Sequence, residues 1–197
     1  VLNSLGLGGV VVLNLVSATS VVAFEYHHLH DEDHLFENLQ ALLLGIGVLS
    51  GSLLMRSSGR DVLVWAGLAL LSFSLLLREI DLDQMPVPGV LRALGTGEGR
   101  ALLLVPLWLA LGLAFWRLGT WRWAWLREVV RSPVFRCQLL AFALLLAGAV
   151  IDRKLLGIDH PRLAEELLEI NAYAFMIWPA LHRLLRPQPA SPVLPLA

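Results

Sequence analysis

The stretch "YHHLHDEDHLFEN", residues 26–38, holds four of the chain's six histidines beside four acids. Imidazole and carboxylate are the usual ligands of divalent metals, and imidazole suits zinc, copper, iron or nickel. If the helix that follows starts as early as His27, then His27, His30, Asp31, His34 and Asn38 recur at i, i+3, i+4, i+7 and i+11. They then share one helical face, with Glu37 at its border. The expected metal ligands are therefore His27, His30, Asp31, His34 and Glu37, with zinc as the first choice of metal. The same residues also suit a hydrated acidic loop that binds nothing. No HExxH or other closed motif selects between the two.

Two further stretches put ionisable groups beside apolar runs. In "LLLREIDLDQ", Arg78 and Glu79 stand at the apolar boundary, followed by Asp81 and Asp83. Charges at membrane depth pair or line a polar cavity, so Arg78 is expected to pair across helices, with Glu37 or Glu169 as its partner. An ion pair of Arg78 with Glu79 and Glu169 is the resulting expectation. In "IDHPRLAEELLEINAY", Asp159 or His160 suits a helix cap with Pro161 at the first helical position. On that helix Glu165 and Glu169 lie one turn apart. Either is a candidate general base for a metal-bound water.

The elements that position these residues are membrane helices. The chain has 197 residues, 57% hydrophobic and only 16% charged, where soluble domains carry about 25%. Its apolar residues fall into six blocks, roughly 5–24, 39–55, 62–78, 101–117, 134–151 and 170–185. The run 5–24 has no basic segment before it and reads as a spanning helix rather than a signal peptide. The single cysteine, Cys137, excludes an intramolecular disulfide and any CxxC motif. The run GTGEG at 95–99 lacks the GK[ST] ending of a phosphate loop, so no nucleotide is expected. No histidine sits deep in an apolar block, so no haem is expected, and nothing in the chain points to nucleic acid.

Charge alternates between the blocks. Loop 25–38 carries no Lys or Arg and five acids, while loop 117–136 carries five bases and one acid. Over the five loops and the C-terminal tail, one side carries 6 bases and 14 acids, the other 9 and 2. The rule that Lys and Arg stay inside places both termini and the loops 56–61 and 117–136 in the cytoplasm. The expected fold is an all-α integral membrane protein of six transmembrane helices in three hairpins. Residues 1–186 form this domain and 187–197 a Pro-rich tail. Residues 120–131 are expected to form an interfacial helix, with Trp121, Trp125, Arg127 and Arg131 at the lipid interface. Gly45, Gly47, Gly51 and Ser52 offer a small-residue face for close helix packing, within the chain or with a protein partner or second copy.

The openings "FENLQALLLGIG" and "LEINAYAFMIWP" are alike, each placing Glu and Asn before apolar residues. With Glu37-Asn38, Arg78-Glu79-Ile80-Asp81 and Glu165-Glu166-Leu167-Leu168-Glu169, the chain resembles a group of uncharacterised bacterial multi-spanning inner-membrane proteins. The resemblance covers about half the chain. It implies a bacterial inner-membrane location and no known activity, and it does not extend to the histidines. CAAX-protease-type membrane enzymes fit less well, because their His motifs lie inside later helices, and so do alkaline-ceramidase-like hydrolases, whose zinc histidines come from several different helices.

The leading expectation is a small membrane protein with an acidic, His-containing periplasmic site. It would bind a divalent cation or a cationic group as an accessory or binding subunit. A metal-dependent hydrolase at the outer leaflet is the first alternative, with His30, His34 and Glu37 as ligands. A proton- or ion-coupled carrier using Glu79 and Glu169 is the second.

Overall fold

A computed structural model of the chain describes residues 34–57, 61–80, 82, 86–117, 121–153 and 161–186. The apolar block 5–24, the residues His27, His30 and Asp31, and the tail 187–197 lie outside the described residues, as do the side chains of His34 and Trp121. The described part is helical throughout, with no strand. Its helices are α1 (His34–Ser57), α2 (Val62–Glu79), α3 (Gly89–Gly95), α4 (Gly97–Trp116), α5 (Trp121–Arg131), α6 (Pro133–Asp152) and α7 (Pro161–Leu185).

Four of these are long and apolar enough to cross a membrane: Phe36–Arg56, Val62–Glu79, Gly97–Trp116 and Pro133–Asp152. They correspond to the second to fifth blocks of the sequence. α7 is different. Its 25 residues include Glu165, Glu166, Glu169 and Asn171, and the block 170–185 leaves out its first nine.

Local chemistry sets the boundaries. Thr96 caps α4, its side chain accepting from the N–H of Gly99 at 3.1 Å. Ser132 caps α6 in the same way, accepting from the N–H of Phe135 at 3.2 Å, with Pro133 in the first turn. Ile80 is extended and ends α2. Arg100, in the first turn of α4, donates to the carbonyl of Leu77 at 3.2 Å and satisfies one acceptor that the end of α2 leaves open.

α7, last in the chain, packs between α1 and α6; α1 in turn packs on α2, and α4 lies against α2. The core joins Leu44 and Leu54 of α1, Trp65 and Leu68 of α2, Ala141 of α6, and Ala172, Tyr173, Met176, Ile177 and Ala180 of α7. Gly47 and Gly51, one turn apart, let α1 approach its neighbours. A Cβ on Gly47 would collide with the Ser72 hydroxyl and lie 2.8 Å from Ile177; one on Gly51 would lie 3.0 Å from the backbone of α2 at Trp65 and Ala69. Gln138 of α6 donates to the carbonyl of Met176 at 2.8 Å and joins α6 to α7.

The outside of the bundle is apolar. No residue of α4 is buried, and Leu102, Leu109 and Leu113 are exposed together with Leu139, Phe142 and Leu146 of α6. Polar Gln40, Ser50, Ser72 and Asn171 are buried. Helices apolar all round belong in a large core or in lipid. This fold, with its polar groups inside and leucines outside, is compatible with a bilayer as its solvent.

Candidate functional site

Because the helices alternate in direction, the start of α1, the end of α2, the starts of α4 and α7 and the end of α6 share one end of the bundle. A five-residue polar network joins three of them there. Arg78, next to last in α2, points its Nη2 at three acceptors: Glu79 Oε1 at 2.8 Å, Glu169 Oε1 at 2.9 Å and the Tyr173 hydroxyl at 3.2 Å. Its Nε also donates to Glu79 Oε1, at 3.1 Å. The Tyr173 hydroxyl donates to the same oxygen of Glu79 at 3.0 Å. Gln40 of α1 donates to the other oxygen of Glu169 at 3.2 Å.

The network has a covered side and an open side. The side chains of Glu79 and Glu169 are only 11% and 16% exposed, while that of Arg78 is 52% exposed. Buried carboxylates need both a counter-charge and hydrogen-bond donors. Here one guanidinium, whose planar fork can serve several acceptors at once, meets two carboxylates, and Tyr173 and Gln40 supply neutral donors for the remaining charge. The network as a whole carries one negative charge.

A rim of further acids lies beside it. Glu166 pairs with Arg162 one turn earlier at 3.3 Å. Asp152 and Glu165 have no ion-pair partner among the described residues. α6 comes close at this point, since a Cβ on Gly148 would lie 3.7 Å from Glu165 Cγ. Burial, and then repulsion by Asp152, Glu169 and Glu166, hold the Glu165 carboxyl above the usual carboxylate range.

Comparison of the chain with known protein families, curated proteins and solved structures finds no match. The three short elements that resemble bacterial inner-membrane proteins therefore assign no family. Any functional reading rests on the residues themselves.

The structure brings Arg78, Glu79 and Glu169 together. Glu37, the other partner considered for Arg78, makes no ion pair among the described residues. Of the proposed metal ligands, His34 opens α1 and Glu37 lies in its first turn, and the others fall outside. Among the described residues no group of three or more His, Cys, Asp or Glu side chains could hold a metal ion.

α5 covers most of the span expected for the interfacial helix. Arg127 and Arg131 are exposed on it, and Trp125 is half-buried, with its ring centroid 5.5 Å from that of Phe115 on α4. Trp123, not anticipated, is also exposed on this helix, at 65%. Of the four small residues on α1, Gly47 and Gly51 are used inside the chain, whereas Gly45 meets open space and Ser52 is exposed.

Sequence reasoning missed Tyr173 and Gln40. Both carried a signal. Tyr173 lies four residues after Glu169, on the same helical face. Gln40 is a lone amide at the start of an apolar run, where a polar side chain is expected to find a partner on another helix.

Proposed function

We propose that this is a polytopic protein of the bacterial inner membrane, with six transmembrane helices in three hairpins and both termini in the cytoplasm. It acts as an accessory or binding subunit. Its acidic, His-containing end faces the periplasm and binds a divalent cation or a cationic group. The observation that carries this reading is the charge imbalance at that end. Arg78 is shared between Glu79 and Glu169, and Asp152 and Glu165 stand beside them with no ion-pair partner among the described residues. Carboxylates gathered at the ends of converging helices favour a positive ligand. The bases concentrated at the opposite end support the orientation.

The two other readings draw less support. For a hydrolase, Glu169 is poorly placed as a base, because Arg78 and Gln40 already engage both of its oxygens. For a carrier, α7 continues beyond Tyr173 with buried Met176, Ile177 and Ala180, an apolar stretch with no titratable relay.

The test is metal content by elemental mass spectrometry, on protein purified without chelator or affinity histidines, beside a His30→Ala/His34→Ala variant. Near-stoichiometric zinc, copper, nickel or iron that is lost in the variant supports a metal site in which the histidines take part. Protein without metal removes the histidine set. Calorimetric titration with magnesium, calcium and spermidine then decides the rest, and no heat of binding from any of them refutes the reading.

A further inference from the structure

α7 is enclosed on more sides than its principal described neighbours, α1 and α6, account for. Its residues Tyr173, Met176, Ile177 and Ala180 belong to the core. Ile177 lies against Gly47 of α1, and Glu165 and Leu168 lie against Gly148 of α6. A further stripe, Leu167, Asn171, Ala174, Trp178 and His182, recurs at i, i+4, i+7, i+11 and i+15, about half a turn round the helix from the core residues. None of these five is exposed. Asn171 is only 9% exposed, and Nε2 of His182 is buried with no hydrogen-bond partner among the described residues. The outward stripe of α4 is quite different, with Leu102, Leu109 and Leu113 exposed by 80%, 61% and 62%.

A helix that covers this side of α7 from Leu167 to His182 must run for about 22 Å. Outside the described residues, only 1–33 and 187–197 exceed ten residues. The tail 187–197 contains four prolines, each of which removes a backbone N–H and clashes with the preceding turn of a helix. The block 5–24 is 20 residues long, which makes about 30 Å of helix. It ends nine residues before His34 opens α1, and nine residues reach up to about 30 Å. That is enough to step from α1 to the adjoining side of α7.

We infer that the block 5–24 is the helix that covers this side of α7. It runs antiparallel to α7, with Leu7, Val11, Asn14 and Ala18 opposite Trp178, Ala174, Asn171 and Leu167. The two asparagines stand at matching depth. Glu169 is bonded to Gln40, six residues into α1, so Asn171 lies about 12 Å from the acidic end of the bundle. Asn14, ten residues from Phe24, lies about 15 Å from the same end. Amides on adjacent membrane helices satisfy one another across the contact, and the glycines and small residues of the block allow the close approach. This docking rests on the six-helix reading and not on the cation site.

Disulfide cross-linking tests it, since Cys137 is the single native cysteine. In a Cys137→Ala background, the pair Val11→Cys/Ala174→Cys is oxidised in the membranes of the expressing cells, beside the control pair Val11→Cys/Leu109→Cys. The expected result is a disulfide within one chain, at a yield about fivefold or more above the control, because the bond needs Cα atoms within about 7 Å. A yield no higher than the control would overturn the docking. So would disulfides that join two chains, since a second copy would then cover α7. Labelling of Asn3→Cys and Glu25→Cys with a membrane-impermeant maleimide reads the span separately. Both labelled from one face would overturn the spanning helix and the docking with it. Labelling from opposite faces without the Val11–Ala174 disulfide would overturn the docking alone.

Discussion

Arg78 on α2 and Glu169 on α7 are 91 residues apart in the chain, yet Nη2 of one lies 2.9 Å from Oε1 of the other. The other oxygen of Glu169 accepts from Gln40 on α1, so one carboxylate ties three helices. Removing one member of a buried charge pair costs about 3–5 kcal/mol, because the other charge is left uncompensated. Arg78 is half exposed, so Arg78→Gln should destabilise by about 1–3 kcal/mol. Glu169→Gln should cost less, about 1 kcal/mol, since it keeps an acceptor and removes the excess negative charge. Unfolding of both variants in mixed micelles checks the order. A larger loss in Glu169→Gln would contradict the charge assignment.

Three glycines on α1 give a second comparison. Gly47→Leu and Gly51→Leu force side chains into Ser72, Ile177 and the backbone of α2, and overpacking of this kind costs about 1–3 kcal/mol or more. Gly45→Leu faces open space and should be neutral or slightly stabilising through its helix propensity, by up to about 1 kcal/mol. Thermal unfolding of the three variants in one detergent is the measurement. Equal effects at all three positions would mean that the α1–α2 contact is looser than described.

Glu165 makes stability depend on pH. Its carboxyl titrates above the usual value in the folded protein because of burial and its acidic neighbours. The folded state therefore holds its proton to higher pH than the unfolded state, and stability falls as pH rises from the usual carboxylate value through the raised one. Glu165→Gln should remove that part of the slope and raise the unfolding midpoint at neutral pH. Midpoints recorded between about pH 4 and 8 for both proteins test the sign. A steeper fall in the variant would reverse it.

Gln138 makes a polar contact between α6 and α7. Hydrogen bonds between membrane helices average only about 0.6 kcal/mol, with a maximum near 1.7. Gln138→Leu should therefore cost about 1 kcal/mol or less, well below the loss from Arg78→Gln. If it costs as much, α6 is held to α7 by polar contacts rather than by shape.

The apolar blocks made four of the seven described helices legible, and their ends less so. The block 39–55 becomes His34–Ser57, because polar residues at a helix end are invisible to an apolar run. The partner of Arg78 was narrowed to Glu37 or Glu169 because charge at membrane depth demands one. Choosing between them needed the packing order of the helices. That order was hidden, because a leucine facing lipid and a leucine facing another helix look the same in sequence. The position of α7 between α1 and α6 had one legible sign. It is the long helix that carries acids and a buried asparagine, and such a helix needs neighbours to shield it.

The central place of α7 also sets an order of assembly. It is the last described helix to be synthesised, yet it supplies half of the core residues and two of the five members of the polar network. Until it arrives, Arg78 and Glu79 have, among the described residues, only each other, and Gln40 waits without Glu169. Closure depends on contacts between residues far apart in the chain, which form late and slowly. The earlier helices thus form a loose set, and the docking of α7 between α1 and α6 locks them.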